Sequence, residues 1–267
     1  MIERLPSAAG LNAEDAFLPR LWILSDLHFE TIPYPEAFDP ARPDFDVLVA
    51  AGDIWEADTL RAFRFLRALA GSKPIVFVMG NHEHWNGEIN ENLATAKLLA
   101  AQSGISLLEE SSADIAGCRF VGATLWSDYT LAGDPSSRAE TGEQVDVQHA
   151  GGSHLITVGD ARRLHARSRS RLGELLSQPV SLPMVVVTHH APHPDCVAGP
   201  DRGTWVAGNS ASDLSDLTDQ GKAALWIHGH VHRSVNIRRP NGTRIICNPA
   251  GPLFCNTAFD ESLVVLA

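Results

Sequence analysis

With 267 residues, 44% hydrophobic and 20% charged, the chain has the make-up of an ordinary globular protein long enough to bury a sizeable core. A net charge of −11 argues against an extended nucleic-acid surface, because phosphate backbones are met by clustered Lys and Arg. No apolar stretch reaches the roughly 18–20 residues of a membrane span, and Met1 to Arg20 lacks the apolar run of a signal peptide, so a cytoplasmic location is expected.

In chain order, Leu21 to Leu24 is a short apolar run that stops at Asp26-Leu27-His28. Thr31 to Asp46 holds four prolines and reads as a loop at the mouth of a crevice. Val47 to Ala50 runs into Gly52-Asp53, and Asp58 then caps a helix expected to reach Ala70, closed by Gly71. Ile75 to Val78 runs into Gly80-Asn81-His82-Glu83, followed by a helix from Glu88 to Gln102. Arg119 to Leu125 reads as a strand. Ser127 to Gly159 is polar and Gly-rich without a steady period, so it is expected to be a loop, inserted as a lid over the crevice. Asp160 to Ser177 is a helix carrying five arginines, read mainly as a solvated face. Its sharper reading pairs His165 and Arg169 at i, i+4 as a grip for a substrate's distal anion. Met184 to Val187 runs into His189-His190, and Leu225 to Ile227 into His228-Gly229-His230-Val231-His232. Val235 to Arg238 and Arg244 to Cys247 form a hairpin about Asn241-Gly242, and Ser262 to Leu266 is a last strand. Cys118, Cys196, Cys247 and Cys255 show no C-x-x-C spacing and read as reduced, mostly buried thiols.

Five buried strands thus end in Asp, His or Asn. Of the 12 histidines, His28, His82, His84, His189, His190, His193, His228, His230 and His232 lie at or beside those ends. In layered α/β proteins, loops at the carboxyl ends of strands converge on one crevice. Asp, His and Asn without Cys suit Mn, Fe, Zn or Co. Three histidines within five residues after a strand are hard to bury without a metal. The period of two in extended chain sets Asp26 beside His28 and His230 beside His232. Asp53 fits as a bridge between the two pairs, each oxygen meeting one metal, so the expected cofactors are two divalent ions. Their charge would also let an acidic chain accept a small phosphorylated substrate.

These motifs, in this order from Leu21 to about Gly251, resemble the calcineurin-like metallophosphoesterases. The resemblance implies an α/β fold, a four-layer α/β/β/α sandwich of two mixed sheets flanked by helices. We read it as one domain over 1–267 with the lid inserted at 127–159. It also implies one metal on Asp26, His28, Asp53 and His232, and a second on Asp53, Asn81, His189 and His230. His82 would be the catalytic histidine, and Glu56 stands where many members place its acidic partner. The implied reaction is in-line attack on a phosphomonoester or phosphodiester by a hydroxide bridging the two metals. Met79 before Gly80 departs from the Ser/Thr protein phosphatases, Glu56 from purple acid phosphatases, and His82 from lipid A pathway hydrolases.

Trp126, Tyr129, His190, Asn209 and Arg169 are candidates for contacting substrate, while His84, His193 and His228 read as outer or packing histidines. Two rival readings are a metal-dependent nuclease of the same superfamily and a non-catalytic scaffold. The acidic charge weighs against the first and retention of His82 with every metal-ligating position against the second. Oligomeric state is left open.

Overall fold

Two sheets carry the molecule, and their strands follow from unbroken apolar runs. The structure, a computed structural model, describes residues 18–135, 138–149 and 152–267. In the first sheet β1 (Arg20–Leu24), β2 (Val47–Ala50), β3 (Ile75–Phe77) and β5 (Ile105–Leu107) run parallel, with β14 (Val264–Leu266) antiparallel against β1. In the second, β7 (Cys118–Ala123), β10 (Met184–Thr188), β11 (Leu225–His228) and β13 (Arg244–Cys247) run parallel. There β6 (Ser111–Ile115) and β12 (Val235–Arg238) are antiparallel edges. The Asn241-Gly242 turn closes the β12–β13 hairpin, with Gly242 at φ 99°.

Alternation along the strands sorts side chains into layers. Leu21, Ile23, Val47, Val49 and Val76 pack between the sheets against Phe120, Val185, Val187 and Ile227. Trp22, Leu24, Leu48 and Phe77 turn outward onto Phe63, Leu66 and Ala96 of α1 (Thr59–Ala70) and α2 (Ile89–Ser103). Val121, Val186 and Trp226 turn the other way, onto Leu172 and Leu176 of α3 (Val158–Ser177) and Ala207 of α4 (Trp205–Ser210). A one-turn helix α5 (Ser215–Thr218) completes that layer. The order is therefore helix, sheet, sheet, helix. Strands covered on both faces need apolar residues at every position, which is why they read as continuous runs.

Asp58 caps α1 by accepting from the Arg61 amide, and Gly71 ends it at φ 60°. α3 begins at Val158 rather than at the expected Asp160. Thr157 and Asp160 form a reciprocal capping box there, so Asp160 is the third residue of the helix. All four cysteines are free, and only Cys255 is exposed. Among the described residues no helix is long and apolar enough to cross a membrane.

Segment 127–159 differs from the expected irregular loop. It holds β8 (Val145–His149) and β9 (Gly152–Leu155), an antiparallel hairpin that pairs in parallel with β4 (Gly87–Glu88). Residues 136–137 and 150–151 of the expected lid lie outside the described residues, as does the leading segment 1–17. Tyr129, Val145, Ile156 and Val158 pack with Trp126 and Ile89 in a small core of their own. The insertion is built into the body of the protein.

Candidate metal centre

The carboxyl ends of β1, β2, β3, β10 and β11 meet at the junction of the sheets, held by main-chain bonds between their loops. Asp26 N donates to Gly52 O at 2.9 Å, and Gly229 N to His189 O at 3.0 Å. Asp26 (φ 50°), His28 (φ 45°), Asp53 (φ 54°), His230 (φ 68°) and His232 (φ 46°) all sit in the left-handed region. Each such residue costs on the order of 1–3 kcal/mol and persists where surrounding structure over-determines it, as functional sites do. Close packing of the loops explains two glycines. A methyl on Gly80 would run into the Asp53 carboxylate, and one on Gly229 would lie 2.7 Å from Asp26 Oδ2.

The side chains converge in two overlapping groups. Asp26, His28, Asp53 and His232 bring ligand atoms within 4.8 Å of one another, and so do Asp53, His189 and His230. His28 Nε2 lies 3.0 Å from His232 Nε2, and His189 Nε2 lies 3.2 Å from His230 Nδ1. Asn81 Oδ1 joins the second group, 3.0 Å from both His189 Nε2 and His230 Nδ1. Two ligands at ~2.1 Å from one ion lie roughly 3–3.4 Å apart, so these spacings are those of a coordination shell.

Asp53 belongs to both groups. Its Oδ1 accepts from the His82 amide at 2.9 Å. Its Oδ2 lies 3.7 Å from His28 Nε2 and 3.2 Å from His189 Nε2, buried and without a hydrogen-bond partner. Asp26 Oδ2 is likewise buried and unpartnered. Carboxylate oxygens left so deep in the protein call for a cation, because a bare buried charge is costly. Burial opposes protonation of His189, but the Asp53 and Asp26 charges outweigh it and raise its pKa to about 10. His28 is raised to about 9 against the same opposition, by its bond to Glu30 and by Asp53 and Asp26. The donor set fits divalent ions.

Outer contacts fix which nitrogen faces inward. His189 Nδ1 donates to Ala51 O at 2.7 Å and His28 Nδ1 to Glu30 Oε1 at 2.8 Å, leaving both Nε2 lone pairs for the centre. Glu83 accepts from the amides of Gly80 (2.6 Å), Ile54 (2.7 Å) and Asp53 (2.9 Å), tying together the loops that present Asp53 and Asn81. Burial and the nearby Asp53 charge push its carboxyl up to about 7, with the amides pulling against them.

His82 stands at the rim, its side chain 17% exposed. Its ring stacks on Trp85 at 3.8 Å between centroids and meets His28 edge-on at 4.5 Å. Glu56 Oε2 and Glu30 Oε1 each lie 3.8 Å from His82 Nδ1, which is beyond hydrogen-bond length. Glu56 is instead bonded by Asn86 Nδ2 at 3.0 Å.

Of the expected substrate contacts, Trp126 lies 5.6 Å from His190 between ring centroids and Tyr129 bonds Asn209, while Arg169 stands on α3. Trp126 and Tyr129 are buried beneath the rim, 4% and 1% exposed. The Tyr129 hydroxyl donates to Asn209 Oδ1 at 2.6 Å, which ties the insertion to α4. His190 is buried and stacks on His230 at 4.1 Å, and burial lowers its pKa to about 3. Arg169 bonds Asp216 at 2.6 Å and lines an open groove with Asp128, Arg162, Arg163 and His165. His84 and His228 are buried, each held neutral by burial at a pKa of about 4. His193 Nδ1 accepts from the Asp195 amide at 3.0 Å.

Two carboxylates at the centre escaped the sequence reading, while Glu83 entered it as the last residue of the Gly80-Asn81-His82-Glu83 run without a role of its own. Glu30 stands two residues past His28, where local spacing could have flagged it. Glu143 comes from the insertion, where no spacing relates it to the site.

The model of the calcineurin-like phosphoesterases matches residues 19–234. No curated protein matches the chain significantly. Among solved structures, the chain is similar to a phosphopantetheinyl hydrolase from Mycobacterium tuberculosis. The two are 19% identical with a TM-score of 0.67, covering 94% of this chain and 96% of the other. It is also similar to a dimetal phosphatase from Danio rerio, at 14% identity and a TM-score of 0.48, covering 85% and 86%. The first of these likenesses shows the fold alone. The matched stretch holds every strand end that delivers Asp, Asn or His to the centre, and the chain belongs to the calcineurin-like phosphoesterases, hydrolases that act on phosphoesters with divalent metal.

Proposed function

We propose that this chain hydrolyses a small phosphomonoester or phosphodiester at a binuclear centre. One ion is held by Asp26, His28, Asp53 and His232, the other by Asp53, Asn81, His189 and His230. The observation that carries the reading is the placement of Asp53 Oδ2, buried and unpartnered between His28 Nε2 at 3.7 Å and His189 Nε2 at 3.2 Å. An unpartnered oxygen shared by two donor groups is what a bridging carboxylate requires. When bound, two such cations lower the pKa of water and neutralise charge on phosphoryl oxygens.

The chain's own contribution beyond the ligands centres on His82. Its ring reaches solvent at the rim, its amide is anchored on Asp53, and Trp85 fixes the ring plane. In that position the imidazole can give a proton to the leaving-group oxygen, which is typically worth about 10²–10⁴-fold in rate. Glu30 Oε1 and Glu56 Oε2 face its Nδ1 from two sides, each at 3.8 Å.

A screen tests the proposal. Protein loaded with Mn, Fe, Zn or Co is offered aryl phosphomonoesters, aryl phosphodiesters and then a panel of phosphorylated metabolites. A phosphopantetheinyl diester belongs in that panel because of the structural neighbour. Turnover that appears with metal and disappears with chelator is expected. Protein that binds two ions yet turns over none of these esters would overturn the reading.

A further inference from the structure

Glu143, from the insertion between β7 and α3, touches the centre at two points with one oxygen. Its Oε2 accepts from Asn81 Nδ2 at 2.8 Å and from Trp85 Nε1 at 2.8 Å. Asn81 is 2% exposed and Glu143 7%, so water does not compete for this contact. An ionised carboxylate can only accept hydrogen bonds. Whatever Asn81 turns toward Glu143 must therefore be its NH2, which leaves the amide oxygen to face His189 and His230, each at 3.0 Å. Only the oxygen of an amide ligates a hard or borderline cation.

Resting on the binuclear reading above, we propose that Glu143 is a positioning residue. It holds Asn81 oxygen-first toward the second metal and holds Trp85 flat against His82. The insertion thereby completes the site as well as bordering it.

The main chain supports that role. The Glu143 amide donates to Thr141 Oγ1 at 3.0 Å, and Thr141 in turn donates to Ile156 O at 3.0 Å, so the residue is pinned within the insertion. Asn86 N donates to Gln144 O at 2.7 Å, and Gly87 pairs with Val145 at the start of β8. The loop from Asn81 to Gly87 is thus stitched to the insertion immediately beside Glu143. A carboxylate in that spot would still satisfy Trp85 if Asn81 were no ligand, so the test must separate the two arms.

Metal titration of the folded full-length chain reads the two sites directly. Glu143→Ala removes the acceptor, and affinity for the second ion should fall about 10–100-fold while the first is unchanged, the usual scale for partners that orient a ligand. Glu143→Gln keeps an acceptor oxygen and should hold both ions within about threefold of the wild type. Trp85→Phe deletes only the indole donor and should also keep both ions. If Glu143→Ala does not fold, Glu143→Asp, which draws the oxygen back by one methylene, should show the same selective loss. Wild-type protein with two ions and folded Glu143→Ala or Glu143→Asp with both affinities unchanged overturns the positioning role alone. Equal loss of both ions overturns it too, as a general structural effect. Wild-type protein that binds fewer than two ions counts against the binuclear reading itself.

Discussion

Glu30 Oε1 accepts from His28 Nδ1 at 2.8 Å, and the same oxygen lies 3.8 Å from His82 Nδ1. One carboxylate therefore orients a proposed metal ligand and lends its field to the proposed acid. Its other oxygen accepts from the Glu56 amide at 2.9 Å, which fixes it in the loop after β2. Glu30→Ala should free the His28 ring and weaken the first metal about 10–100-fold. Glu56→Ala touches no proposed ligand and should leave both affinities as they are. Calorimetric titration of the two variants checks the contrast, and equal metal affinities in both would remove Glu30 from the metal's support.

His82 contacts Asp53 through its main-chain amide, so its side chain is not needed to hold metal. His82→Ala should keep both ions and lose rate, most for alkyl esters with poor leaving groups and least for nitrophenyl esters. A plot of kcat against leaving-group pKa for wild type and variant measures this. Parallel lines would show that His82 does not act at the leaving oxygen.

Away from the centre, Glu109 is partly buried against Thr124, accepting from its amide at 2.9 Å and its hydroxyl at 2.8 Å. Burial raises its carboxyl from 4.5 to about 7, with the Thr124 bonds pulling the other way. Folded protein therefore keeps a proton that unfolded chain releases above about 4.5. This contribution is fully present below that pH and is lost as pH rises through about 7. Glu109→Gln has no charge to bury. Relative to wild type it should gain on the order of 2 kcal/mol between pH 5.5 and pH 8. Urea unfolding of metal-loaded protein at both pH values measures the difference, and because metal affinity enters both proteins alike, it cancels. A stability difference that stays flat with pH would show that Glu109 is ionised throughout.

The layered fold was legible because β1, β2, β3, β10 and β11 are covered on both faces and read as unbroken apolar runs. Their ends were legible for the complementary reason, since Asp, Asn and His directly after such a run have no packing role. β8 escaped although Val145-Asp146-Val147-Gln148 alternates, because one short alternating stretch among glycines gives a weak signal. The expectation of an irregular lid over 127–159 came from that omission. Glu143 shows the cost, since as a lone carboxylate in a polar stretch it looks like a solvated surface group until the fold brings it to Asn81. Likewise, nothing in sequence shows that the His82 amide takes Asp53 Oδ1 and leaves Oδ2 facing His28 and His189.

Metal content per folded chain tests the proposed sharing of Asp53 between two ions. Wild type should carry two divalent ions, and His232→Ala should lose mainly one. Asp53→Ala should lose both, with circular dichroism confirming that the fold persists and Asp53→Asn as the gentler check. Two ions still bound to folded Asp53→Ala would contradict it.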